Sequence, residues 1–168
     1  MGTPGPAGPI WLPGAAAGGV GLIACQWARA LGATLIGTVG SEEKAAIARE
    51  NGAAHTIIYT KEDFLARVKE ITGGKGVPVV YDSIGKDTFM DSLACLRPMG
   101  MMALFGAASG PVPPFDLGLL AKMGALFITR PTLFVYTAKR SDLVQTADEL
   151  FGMVTSGKVK IEVNQRYA

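Results

Sequence analysis

Short apolar runs alternate along the chain with stretches of helical spacing. The runs are Ile10 to Leu12, Thr34 to Val39, His55 to Ile58, Val77 to Asp82, Met101 to Phe105 and Ala125 to Thr129. Most of them lack an apolar/polar alternation, the mark of strands covered on both faces. Helical spacing occupies residues 20–31, 42–51, 62–71, 87–95 and 141–156. This succession predicts βαβ units, and hence an α/β fold: a doubly wound parallel sheet in three layers, α/β/α.

The boundaries carry punctuation with a mechanism. Ser41 stands before Glu42 and Lys44 as an N-cap, Thr60 with Asp63 forms a weaker capping pattern, and Ser141-Asp142 opens the last helix. Gly32, Gly52, Gly73 and Gly157 fall where helices stop in the left-handed conformation. The loop Gly110-Pro111-Val112-Pro113-Pro114 suits neither a helix nor a central strand.

Composition narrows the class. A chain of 168 residues makes one domain, because a chain near 150 residues buries roughly 70% of its unfolded surface. With 49% hydrophobic and 18% charged residues and a net charge of +2, it is neither disordered nor an electrostatic nucleic-acid binder. Met1 to Ala28 carries no charge, yet it lacks the basic start of a signal peptide, and its prolines and glycines do not suit a membrane span. No membrane association is therefore expected. Met1 to Pro9 reads as a disordered leader ahead of a single domain over residues 10–168. The two cysteines, Cys25 and Cys95, are too far apart for a metal knuckle and read as buried, reduced thiols of a cytoplasmic protein. The one histidine, His55, begins a strand and reads as structural. Met99, Met101 and Met102 read as core filling around the fifth strand.

The 22 glycines are about twice the usual share, and one cluster has a chemical reading. Ala15-Ala16-Ala17-Gly18-Gly19-Val20-Gly21 lies directly after a strand candidate and directly before a helix. It fits the dinucleotide fingerprint with Ala16, Gly18 and Gly21 in the three glycine places. A small residue permits the turn, Gly18 lets backbone approach a pyrophosphate, and Gly21 lets the helix pack closely on its strand. The helix N-terminus then offers its amides to the anion.

The end of the second strand selects the dinucleotide. A carboxylate there would take the ribose hydroxyls of NAD, but this chain has Gly40 and Ser41, followed by Glu42, Glu43 and Lys44. Ser41 and the first amides of the helix suit a 2′-phosphate, with Lys44 as counter-charge. NADPH is the expected cofactor, provided Glu42 and Glu43 point away from that phosphate.

Four stretches carry a resemblance. Residues 15–28, 35–40, 79–85 and 127–133 closely resemble bacterial NADPH:quinone oxidoreductases, the zinc-free, zeta-crystallin-like branch of the medium-chain dehydrogenase/reductase superfamily. The resemblance implies a Rossmann-type cofactor domain that serves hydride transfer from NADPH to a quinone acceptor. It implies a pyrophosphate site at Gly19-Val20 and a 2′-phosphate site at Gly40 to Lys44 with Tyr59. It also implies a groove lined by Ile84, and a nicotinamide end flanked by Ala108, Ser109, Gly110 and Pro111 and by Thr132, Leu133 and Phe134. Tyr59 also reads as a half-buried strand-end aromatic, and residues 132–134 also read as packing at a dimer interface. A homodimer is expected through the sheet edge near Phe127 to Pro131. No side chain is expected to act as acid or base.

Family members are longer, with a catalytic domain before this one and a final segment after it. Pro13-Gly14 also interrupts what the family has as a continuous first strand. A binding module without turnover is therefore the alternative reading, with reduction of α,β-unsaturated carbonyls another.

Overall fold

The computed structural model describes residues 10–12 and 16–163. The expected leader and the Pro13-Gly14 break lie outside these residues. Six strands form one sheet: β1 (Ile10–Leu12), β2 (Leu35–Val39), β3 (His55–Ile58), β4 (Val77–Asp82), β5 (Leu96–Leu104) and β6 (Phe127–Thr129). All neighbours pair in parallel, in the order β3-β2-β1-β4-β5-β6. The chain winds outward from β1 through β3, crosses back, and winds outward again from β4. That reversal opens a crevice beyond the carboxyl ends of β1 and β4, where ligands of such sheets bind.

The helices are α1 (Gly19–Ala30), α2 (Glu42–Glu50), α3 (Phe64–Ile71), α4 (Phe89–Ala94), α5 (Gly118–Lys122), α6 (Leu133–Tyr136) and α7 (Arg140–Thr155). Two cores lie on opposite faces of the sheet, because successive strand residues point to opposite sides. Leu35 and Ile58 join Cys25 and Ala28 of α1 and Ala45 and Ala48 of α2. Their neighbours Ile36 and Ile57 instead join Val68 of α3, Phe89 and Leu93 of α4, Val80 and Met102. All five β2 residues are buried, as expected of a strand sandwiched between helices.

The second half of the sheet is covered differently. Val80 and Met102 are buried, whereas Tyr81, Met101 and Phe127 on the other face are 43%, 42% and 55% exposed. That face borders an apolar cleft of about 560 Å³, lined by Val20, Ile23, Trp27 and Leu31 from α1 and by Tyr81, Phe105 and Pro131. Beyond α7 the chain returns to α1. The Gln26 side chain donates to the Lys160 carbonyl at 3.1 Å and accepts from its amide at 2.7 Å, and Val159 is buried beside this clasp.

Several local expectations need correction. The fifth strand starts at Leu96, not Met101, and passes through a register shift opposite Val77 and Val79. Met99 sits within it at φ 59, its amide bonded to the Gly124 carbonyl at 2.8 Å. Met99 is thus 72% exposed, and of the three methionines only Met102 fills the core. Asp63, not Thr60, caps α3 by accepting from the amides of Leu65 and Ala66. Thr60 instead donates to the Gly40 carbonyl. The last helix starts at Arg140, with no side-chain cap from Ser141. The short helices α5 and α6 escape periodicity because a single turn cannot display it. The four stop glycines adopt positive φ as expected.

Candidate functional site

The loop after β1 rests on β2 through a contact between two small residues. A Cβ added at Gly37 would collide with the Ala16 side chain, so Gly37 gives Ala16 its seat. Ala16 is fully buried, its amide points to the Thr38 carbonyl at 3.4 Å, and its carbonyl accepts from Cys25 Sγ at 3.7 Å. This fixes where α1 begins. Gly18 is its N-cap at φ −87°, without a side-chain cap, and no acidic residue occupies the first turn. Gly18, Gly19 and Val20 are exposed and Gly21 is buried, so the leading amides of α1 face solvent at the crevice while its third glycine packs inward.

A depression of about 220 Å³ joins Ala16, Ala17 and Gly18 to Thr38, Val39, Gly40, Lys44 and Tyr59. Its floor is the end of β2. Ser41 caps α2 by accepting from the Lys44 amide at 3.3 Å, which leaves the hydroxyl proton free to be donated elsewhere. Tyr59 follows the end of β3 and is 53% exposed, and its hydroxyl lies beside Gly40, where an added Cβ would come within 3.0 Å. Glu42 pairs with Lys61 Nζ at 3.3 Å, so its charge is partly offset; Glu43 is exposed.

The far side of the crevice is built from the loops after β4 and β5. Asp82 ends β4 fully buried. Its Oδ1 accepts from the amides of Ile84 and Gly85 at 2.7 and 3.0 Å, and its Oδ2 from the hydroxyls of Thr88 and Ser92 at 2.8 and 2.6 Å. Ser109 binds the Ile84 carbonyl, and Lys86 donates its amide to the Gly110 carbonyl at 3.2 Å. Ile84, Ala108, Ser109 and Gly110 are therefore brought together. Pro111 continues into the proline loop, which is anchored where the Phe115 ring packs on Phe89 with centroids 4.9 Å apart. Thr132, Leu133 and Phe134 form an exposed corner at α6, the last two 68% and 84% exposed.

Four residues of this framework escaped the sequence reading. Gly37 had a usable signal, a lone glycine inside an apolar strand. So did Asp82, a carboxylate closing an apolar run. Lys61 and Arg130 had none, since their partners are distant in sequence. Arg130 donates to the Leu104 and Gly106 carbonyls at 2.7 and 3.0 Å, tying the end of β6 to that of β5.

His55 lies at the opposite end of the sheet, where β3 begins, and is exposed. Both cysteines are free and buried. Burial pushes the Cys25 thiol up to about 11 and the Cys95 thiol, which also feels Asp91, up to about 12. Among the described residues, no group of three or more His, Cys, Asp and Glu could hold a metal ion, and no helix is long and apolar enough to cross a membrane.

Residues 19–153, from the first turn of α1 into α7, match the family model described as zinc-binding dehydrogenase. The chain belongs to this family. Among its members, a quinone oxidoreductase of Pseudomonas aeruginosa is 56% identical over 154 residues, which are 92% of this chain and 47% of that protein. The crystal structure of Pseudomonas syringae quinone oxidoreductase superposes with a TM-score of 0.93 at 51% identity, covering 96% of this chain and 50% of that one. The Escherichia coli quinone oxidoreductase, solved in complex with NADPH, superposes with a TM-score of 0.89 at 51% identity, covering 94% of this chain and 48% of that one. The chain thus spans about half the length of the family members it matches. The expected α/β doubly wound architecture is the architecture of these relatives.

Proposed function

We propose that residues 10–168 form the NADPH-binding domain of a cytoplasmic, zinc-free quinone reductase. One observation carries the reading. The uncapped start of α1 opens onto a depression whose other wall presents Gly40, Lys44 and Tyr59 without a carboxylate at the end of β2. The sequence relationship to quinone oxidoreductases, one of them solved with NADPH, supports it.

In this reading the amides of Gly19 and Val20 receive the pyrophosphate, with the positive end of the α1 dipole behind them. Gly18 leaves room for that approach, and Gly21 lets α1 pack closely on its strand. The adenosine 2′-phosphate lies against Gly40, accepting from the Ser41 hydroxyl and pairing with Lys44, while Lys61 draws Glu42 aside and Tyr59 closes the pocket. Glu43 stays in solvent. Ile84 walls the groove towards the nicotinamide. Residues 108–111 and 132–134 flank that end.

When bound, the dihydronicotinamide supplies a hydride that a quinone takes up together with a proton to become the quinol. The residues described orient this cofactor and shield one side of it, and none is assigned as acid or base. A homodimer through the β6 edge completes the proposal. β6 has β5 as its partner, and Phe127, Leu133 and Phe134 stand exposed beside its open edge.

The charge at the 2′-phosphate is the point to test. Removing Lys44 by Lys44→Ala should raise the dissociation constant for NADPH roughly tenfold to a hundredfold, the worth of a charge-assisted contact, while NADH binding changes little. Fluorescence titration with both nucleotides measures this, and equal losses would overturn the phosphate assignment.

A further inference from the structure

The two loops that form the nicotinamide side of the crevice are separate in sequence but fastened at one side chain. Ser109 Oγ donates to the Ile84 carbonyl at 2.9 Å and accepts from the Asp87 amide at 3.0 Å. The Ser109 amide donates to the same Ile84 carbonyl at 2.9 Å, and the Ala108 amide donates to the Ser83 carbonyl at 3.2 Å. Both acceptor directions of the Ile84 oxygen are thus filled from Ser109. The Ile84 amide is engaged by the buried carboxylate of Asp82 at 2.7 Å. Ile84 has no backbone polarity left to offer a ligand, so only its apolar side chain remains available.

The surrounding glycines show how closely the loops approach. A Cβ on Gly106 would strike the Ser83 backbone, and one on Gly85, at φ 90°, would lie 2.8 Å from the Gly110 carbonyl. Strands β4 and β5 therefore end in a single fastened unit, with Asp82 beneath it and Ser109 across it.

We propose that Ser109 is a positioning residue: its hydroxyl latches the β5 loop onto the β4 loop and so fixes Ile84 as a rigid apolar wall for the flat ring of the nicotinamide. The Ser109 hydroxyl is then occupied within the protein, and Ser109 flanks the nicotinamide end without giving that hydroxyl to the cofactor. This inference rests on the NADPH reading above and concerns one end of that site. A rigid wall lowers the ordering cost of binding the ring. It has no bearing on the adenosine end, which is held by Gly40, Ser41 and Lys44.

The test uses the whole chain and two ligands. NADPH engages both ends of the site, whereas adenosine 2′,5′-bisphosphate engages only the adenosine end. Ser109→Ala should weaken NADPH about tenfold, the equivalent of one net hydrogen bond, and leave the bisphosphate within about twofold. Ser109→Thr, which keeps the hydroxyl, should restore NADPH binding to within about threefold of the unaltered chain. Unchanged NADPH affinity in Ser109→Ala would overturn the latch, as would parallel weakening of both ligands, since a general loss of structure does not choose an end. If the unaltered chain binds neither ligand, the cofactor reading itself falls and takes the latch with it. If it binds the bisphosphate alone, the wall is not a nicotinamide site and the latch falls by itself.

Discussion

At the scale of single residues, burial decides chemistry. Cys25 and Cys95 are both fully buried, and with thiols raised to about 11 and about 12 almost no thiolate exists near neutral pH. Because the thiolate is the nucleophile, a disulfide dye at pH 8 should label neither cysteine in the folded chain and both after denaturation. Counting the released chromophore checks this, and fast labelling of the native chain would contradict it. Both thiols were legible in the sequence because small apolar helices and strand ends surrounded them. The methionines were not: Met99 stands just before an apolar run and reads as part of its core, but a positive φ at that position turns it to solvent. Apolar character alone does not report a local reversal of the backbone. The bonds of Ser109 were not legible either, since its partners Ile84 and Asp87 lie more than twenty residues away.

At the scale of elements, the loop after β1 depends on a gap in the wall of β2. Gly37 offers that gap to Ala16. Gly37→Ala would overpack the seat at a cost of about 1–3 kcal/mol, and because the displaced backbone leads into Gly18, cofactor affinity should fall together with the melting temperature. Thermal denaturation and NADPH titration of the same variant check the pair of effects; a stable variant with normal affinity would show that the loop has another support. Periodicity located the larger elements because each spans enough residues to expose a face. It failed for α5 and α6, which are four or five residues long, and at the start of β5, where the register shifts. Capping was readable where one side chain reaches its own helix, as at Ser41, and ambiguous where two candidates competed, as at Thr60 and Asp63.

At the scale of the whole molecule, the two halves of the sheet are unequally clothed. Helices cover β2 and β3 on both faces, whereas one face of β4 to β6 and the outer edge of β6 leave Tyr81, Met101 and Phe127 in contact with solvent. An unpaired edge beside exposed aromatics favours association. Light scattering at increasing concentration should therefore give twice the chain mass, and Phe127→Lys should shift the molecule towards the monomer. A monomer at all concentrations would refute pairing through β6. The doubly wound parallel sheet was legible in the sequence, because βαβ units admit few windings. The unequal cover was not, because an apolar run reads the same whether or not a helix lies over it.

The clasp between Gln26 and Lys160 ties together positions 134 residues apart. Nearly the entire fold lies within the loop it closes, and the entropy of closing a loop grows only slowly with its length. One side-chain amide thus acts as a buckle, holding the segment that follows α7 against α1 by two bonds.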